Sequence, residues 1–353
     1  MLRCILLLIA LLPLPVCAQL ANPPEAPQAA PAVPNAPEMT REQKLEQYRH
    51  DQINLLALRP DAESLLGAAL LADADTDDKR RPAALKAPAL LKRAQSNAPD
   101  AALVWWVTAS SECRAAAKSC PSSDVLQKLE SLDAENAAVW LLSLWHAQQA
   151  GDAPAARAAL TSAAQAKRYN DYFGALVAAL YHAQEVLPMS NELLNATGAD
   201  AGVSGYRLLT AASVTLATVS LPGGRALAQA CKPAEPADAA VVTDCLAVAE
   251  KMESSPSLFA RGAGMTLHES LLAQGTPEMD ALHAQQRRLA WLMQSMSGLA
   301  ARLANEERLT RSYVEALGGS GDEYAAVTEV LRSQGISREP PPGWQAPAAP
   351  VKP

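Results

Sequence analysis

The segment Asp100-Ala101-Ala102-Leu103-Val104-Trp105-Trp106 recurs as Asn136-Ala137-Ala138-Val139-Trp140-Leu141-Leu142, offset by 35 or 36 residues depending on where a one-residue gap falls. A period in the mid-thirties is the length of a two-helix unit. One such unit cannot bury its own apolar face, so neighbours must stack on it. The chain is therefore expected to be all-α, with helical hairpins in an α-solenoid followed by a further helical region.

Composition agrees. Hydrophobic residues make up 49% of the 353 positions, yet aromatics are only 4% and Phe occurs twice. Ala and Leu dominate, and both are strong helix formers. Alternating β-branched runs are scarce, which leaves a sheet-based fold without support. The formal net charge of −7 and the lack of a basic stripe argue against nucleic acid as a partner.

The first 18 residues read as a signal peptide. A basic start at Arg3 precedes an apolar run from Cys4 to Leu12, and Val16-Cys17-Ala18 fits a small-x-small cleavage site. The run is too short to cross a bilayer, and no other stretch reaches the ~20 apolar residues a span needs. Leu14-Pro15-Val16-Cys17 offers the alternative of a lipid anchor at Cys17. A periplasmic or secreted location follows. Four cysteines remain in the mature chain, Cys113, Cys120, Cys231 and Cys245, an even number that suits disulfides in an oxidising compartment. Three pairings are open, and closeness in sequence favours Cys113–Cys120 and Cys231–Cys245.

Five regions follow: the signal peptide at 1–18, a Pro/Ala-rich tether at 19–38, helical repeats at 39–185, a C-terminal helical region at 186–337 and a Pro-rich tail at 338–353. Thr40 and Gln43 form a capping box for a first helix to about Leu58. Further helix starts stand at Pro60-Asp61, Pro82, Asp124, Asn136 and Pro154. One long helix is expected over 277–317 and a last one over 321–334, with Gly318-Gly319-Ser320-Gly321 as a hinge between them.

The stretch from Ala138 to Ala166 resembles the tetratricopeptide repeat family. Trp140 takes the large position of the first helix, Gly151 the tight turn, Ala156 the helix crossing, and Leu160 and Ala163 the later packing positions. Leu129–Asn136 and Leu58–Gly67 resemble the family's repeat junction. Ser143-Leu144 and Arg168 depart from it, standing where the family has Leu-Gly and a closing Pro. The resemblance covers roughly residues 60–185 and implies a protein- or peptide-binding repeat surface.

Candidate chemistry is sparse. His268-Glu269 lacks the second His of a helical zinc site, since Leu272 stands in its place. Asp73, Asp75, Asp77 and Asp78 lack the central Gly and closing Glu of a calcium loop. Gly202-Val203-Ser204-Gly205 lacks the spacing of a nucleophile elbow. No catalytic, metal-binding or cofactor-binding residues are nominated. The tryptophans remain: Trp105 and Trp106 point about 100° apart on a helix, and with Trp145 they are candidates for an interaction surface, core packing being the alternative. Leu282, Leu289, Met296 and Leu303 form a heptad seam, read either as packing within the domain or as a homodimer interface through 282–303. The expected function is a non-enzymatic scaffold or adaptor for protein or peptide partners in the cell envelope. A helical periplasmic enzyme, such as a hydrolase with a site assembled from residues distant in sequence, is the alternative.

Overall fold

A computed structural model describes residues 39–74, 81–115, 120–219, 223–232 and 238–346. The expected signal peptide, Cys17, the expected tether, Asp75, Asp77 and Asp78 lie outside them. The described residues form seventeen α-helices and no strands; the chain is all-α.

The first seven are α1 (Arg41–Ala57), α2 (Ala62–Ala74), α3 (Ala87–Asn97), α4 (Ala102–Ala115), α5 (Ser123–Asp133), α6 (Ala137–Ala150) and α7 (Ala153–Gln165). Each packs on the next. Local signals set their ends. Thr40 accepts from Gln43 N while its own N–H donates to Gln43 Oε1, closing the capping box. Gly151 ends α6 at φ 71°, a left-handed turn that favours glycine, and Asp152 caps α7 by accepting from Ala155 N.

The junction between α5 and α6 is tied to the loop after α7. Asn136, fully buried, accepts from Ala138 N and Asn170 N and donates to Asp133 and the Asn170 carbonyl. Arg168 ion-pairs with Asp133. An unpaired buried amide or carboxylate would cost a few kcal/mol, so this network fixes the loop that leads into the second half.

That half comprises α8 (Phe173–Ala183), α9 (Asn191–Thr197), α10 (Val203–Val219), α11 (Gly223–Ala230), α12 (Ala239–Glu253), α13 (Leu258–Leu271), α14 (Pro277–Gly298), α15 (Ala300–Asn305), α16 (Glu307–Ser320) and α17 (Glu323–Ser333). It folds back on the first: α8 packs on α2, α10 touches α2 and α4, α11 lies on α6 and α12 on α7. Gly67 and Ala183 bring α2 and α8 together closely; a Cβ on Gly67 would stand 2.4 Å from that of Ala183. The main core runs from Ile53 to Leu331, so the two helical regions share one interior. A second cluster joins α6, α7, α11 and α12.

Both favoured disulfides form, Cys113–Cys120 and Cys231–Cys245, which fits an oxidising compartment. Among the described residues no helix is long and apolar enough to cross a membrane.

Two expectations are corrected. The helix drawn over 277–317 is three, broken at Leu299 and Glu306, and its leucines face inward: Leu282, Leu289, Leu292, Leu299 and Leu303 are all buried. The leucines of the 282–303 seam thus pack within the chain's own core, the first of its two readings, while Met296 stays half-buried. The glycine hinge is helical instead: α16 runs through Gly318 and Gly319 and ends on Gly321 at φ 65°. The described part of the Pro-rich tail lies against α14, with Trp344 edge-on to Trp291 at 5.5 Å and Arg288 paired with Glu339.

Candidate functional site

The tryptophans nominated from sequence do not assemble an open surface. Trp106 is buried, with its ring 5.3 Å from that of Tyr172. Trp105 and Trp145 are half-buried and pack on the main and second clusters respectively. Of the histidines, His268 pairs with Glu253 of α12 at 2.5 Å. Among the described residues no group of three His, Cys, Asp or Glu side chains is placed to hold a metal ion.

The fold places a cavity elsewhere. Between α8, α10 and α13–α17 lies a partly open space of about 300 Å³. Phe173 and Val177 of α8 form one wall, Leu208, Ala212 and Leu216 of α10 a second, and Leu258 and Phe259 of α13 a third; Met293 and Met296 of α14 and Leu303 of α15 complete it. Both phenylalanines of this aromatic-poor chain are in that lining. Methionine is unbranched and polarizable, and adapts to varied apolar shapes. At the rim Leu209 is 53% exposed and Ser213 is exposed beside it.

Close backbone approach shapes one end. Gly205 lets α10 lie against the end of α15, where an added Cβ would stand 2.0 Å from the Ala304 carbonyl oxygen. The same carbonyl accepts from Gly202 N at 2.9 Å. The Gly202–Gly205 stretch thus serves helix packing.

The polar part of the site gathers at the N-terminus of α13. Glu323, the second residue after Gly321, lines the cavity, and its Oε2 accepts from Leu258 N at 2.8 Å. Leu258 opens α13, so this N–H is one that the helix itself leaves unpaired. Asp171 is buried; it accepts from Phe173 N at 3.1 Å and is hydrogen-bonded to Ser257, the N-cap of α13. Tyr172, between Asp171 and Phe173, has φ 61°. That left-handed conformation costs a residue with a Cβ roughly 1–2 kcal/mol, and it is held by the Tyr172 hydroxyl donating to Asp133.

Desolvation dominates the ionisation of both acids, although by exposure Asp171 is buried and Glu323 only half-buried against the cavity. It pushes Glu323 up to about 8, against the lowering effect of the Leu258 N–H, with the nearby Asp171 and Asp322 raising it further. It pushes Asp171 up to about 6. Tyr313, also in the lining, is raised well above its ordinary range by burial and by Glu323. At neutral pH Glu323 is therefore mostly protonated. The arrangement is an apolar receptacle with one neutral carboxyl at its base and a second acid behind it. The two serines in the lining, Ser213 and Ser297, have no histidine among the other lining residues.

Met296 and Leu303 were singled out from sequence only as part of the heptad seam, and neither Glu323 nor Asp171 was nominated at all. The lining residues come from seven helices and from positions 173 to 327. The convergence of the two phenylalanines is the signal closest to the surface of the sequence. No family model, curated protein or solved structure matches the chain.

Proposed function

We propose that this chain is an exported, non-enzymatic binding protein, a periplasmic or secreted scaffold or adaptor whose cavity receives an apolar anchor from a protein or peptide partner in the cell envelope. The observation that carries this reading is the lining itself: both phenylalanines and two methionines of an Ala/Leu-rich chain surround an open apolar space. Apolar pockets with a few placed polar groups are the usual binding sites of proteins. Burying one Leu- or Phe-sized anchor is worth about 1.5–3 kcal/mol, a useful increment within a larger contact. The tetratricopeptide-like hairpins support the reading as a rigid frame behind α8 and α10, and the two disulfides support export.

A photo-crosslinking residue placed at Ser213, on the rim, tests it in the native host. The same residue at Ser131, exposed on α5, is the control. A defined protein adduct formed from position 213 and not from 131 supports the reading. Equal adduct patterns from both positions, or none from 213, would refute it.

A further inference from the structure

Glu323 lines the cavity with a second acid, Asp171, behind it, and no Lys, Arg or His stands in the lining. Neither Asp171 nor Glu323 forms an ion pair among the described residues; their partners are backbone N–H groups and Ser257. Arg261, the guanidinium carried by α13, is committed elsewhere. Arg261 lies 3.9 Å over the Tyr324 ring and donates to the carbonyls of Glu253, Ser254 and Ser255. Asp322, the other acid acting on Glu323, caps α17 by accepting from Ala325 N. Tyr313 is the remaining titratable group against Glu323. Oε1 of Glu323 accepts no hydrogen bond from any described residue, while Oε2 takes the Leu258 N–H.

Burying a carboxylate without a counter-charge costs several kcal/mol. A ligand that brings the counter-charge removes that cost, and one that brings a second negative charge adds to it. The chain's formal charge of −7 acts in the same sense, drawing cations in and turning anions away. The walls call for an aliphatic body. Their volume is about twice the ~150 Å³ cavity that holds benzene, which sets the occupant at roughly twelve heavy atoms.

Resting on the function proposed above, we infer that the anchor this cavity takes is an aliphatic stem ending in an ammonium group, supplied by the partner polypeptide as a lysine side chain whose apolar neighbour in the same segment fills the remaining space. The stem lies between Phe173, Phe259 and the two methionines, and the ammonium meets Glu323. A lysine ammonium, with a pKa of about 10.4, arrives charged. The proton that Glu323 holds at neutral pH passes to the solvent as the ion pair forms. Binding therefore strengthens as pH rises toward 8.

The test uses the full chain with labelled methionine methyl groups. The Met293 and Met296 resonances are followed at pH 7 during titration with n-decylamine, n-decanol and decanoate, probes of matched length. n-Decylamine is expected to bind at least tenfold more tightly than n-decanol, with decanoate weakest. Its affinity is expected to rise severalfold from pH 6 to pH 7.5, while that of n-decanol stays level. Glu323→Gln should bring the amine and the alcohol to within twofold, and Asp171→Asn supplies a second variant should the first fail to fold. Equal binding of amine and alcohol, tighter binding of decanoate, or no movement of either methyl resonance would overturn the inference. Those outcomes leave the Ser213 adduct intact if a partner docks by other chemistry. Tight binding of n-decylamine with no Ser213 adduct would overturn the polypeptide source and assign the cavity to a free amine.

Discussion

Replacing Glu323 by Gln should change stability in a way that depends on pH, and the sign is fixed by the direction of its ionisation. The folded chain holds the Glu323 proton up to about pH 8, while in the unfolded chain the group has its ordinary value of 4.5. The folded state thus binds more protons, so its stability is fully present below about 4.5 and is lost as pH rises to 8. Each pH unit within that window is worth about 1.4 kcal/mol. Going from pH 5.5 to pH 8 should cost the native chain about 3 kcal/mol through this group, less whatever water reaching the carboxylate returns. Asp171, raised to about 6, adds a loss in the same direction at lower pH. In Glu323→Gln only the Asp171 contribution remains. Urea unfolding of both proteins at pH 5.5 and pH 8 isolates the effect, because the stability gap between variant and native chain should widen in favour of the variant by up to about 3 kcal/mol. A gap that stays constant between the two pH values would refute the claim that this half-buried carboxyl is desolvated without a counter-charge.

Gly205→Ala should destabilise by about 1–3 kcal/mol in denaturant, since its Cβ would stand 2.0 Å from the Ala304 carbonyl and one helix must move. Gly224→Ala, with nothing within 4 Å and a position inside α11, should instead stabilise by about 0.5–1 kcal/mol. Removing the Cys231–Cys245 bridge by a double Cys→Ala change should cost about 3 kcal/mol, read as a lower unfolding midpoint that reductant does to the native chain as well. Leu142→Ala, at a fully packed position of the main core, should cost about 2–5 kcal/mol by the same assay.

The sequence carried the local elements well because their ends are written in single residues. Thr40 with Gln43 and Gly151 with Asp152 are helix boundaries by their own chemistry, and the nearer cysteines paired because short loops close easily. Where no such residue stood, the reading overran. The breaks at Leu299 and Glu306 contain neither Pro nor a capping side chain, so three helices passed for one. The seven-residue α9 was missed although Ser190 caps it and Gly198 ends it, because it is too short to show a period. A heptad spacing names a face without naming what covers it, and here Leu282 and Leu289 turn inward onto Met265. The tryptophans illustrate the same limit: Trp106 is buried by Tyr172, a neighbour 66 positions away. The cavity was beyond reach for a related reason. Its walls come from seven helices of the second half that meet only in the tertiary fold, and Glu323 owes its raised ionisation to desolvation there, which no spacing along the chain records.

Filling the cavity while watching the partner tests the central claim most directly. Ala212→Trp places a large ring in the lining of α10, and its effect is measured on the yield of the protein adduct from Ser213 in cells, with thermal unfolding confirming that the variant is folded. Loss of the adduct from a folded Ala212→Trp protein is the predicted result. Undiminished adduct from that protein would show that the partner does not enter the cavity, and would contradict the account.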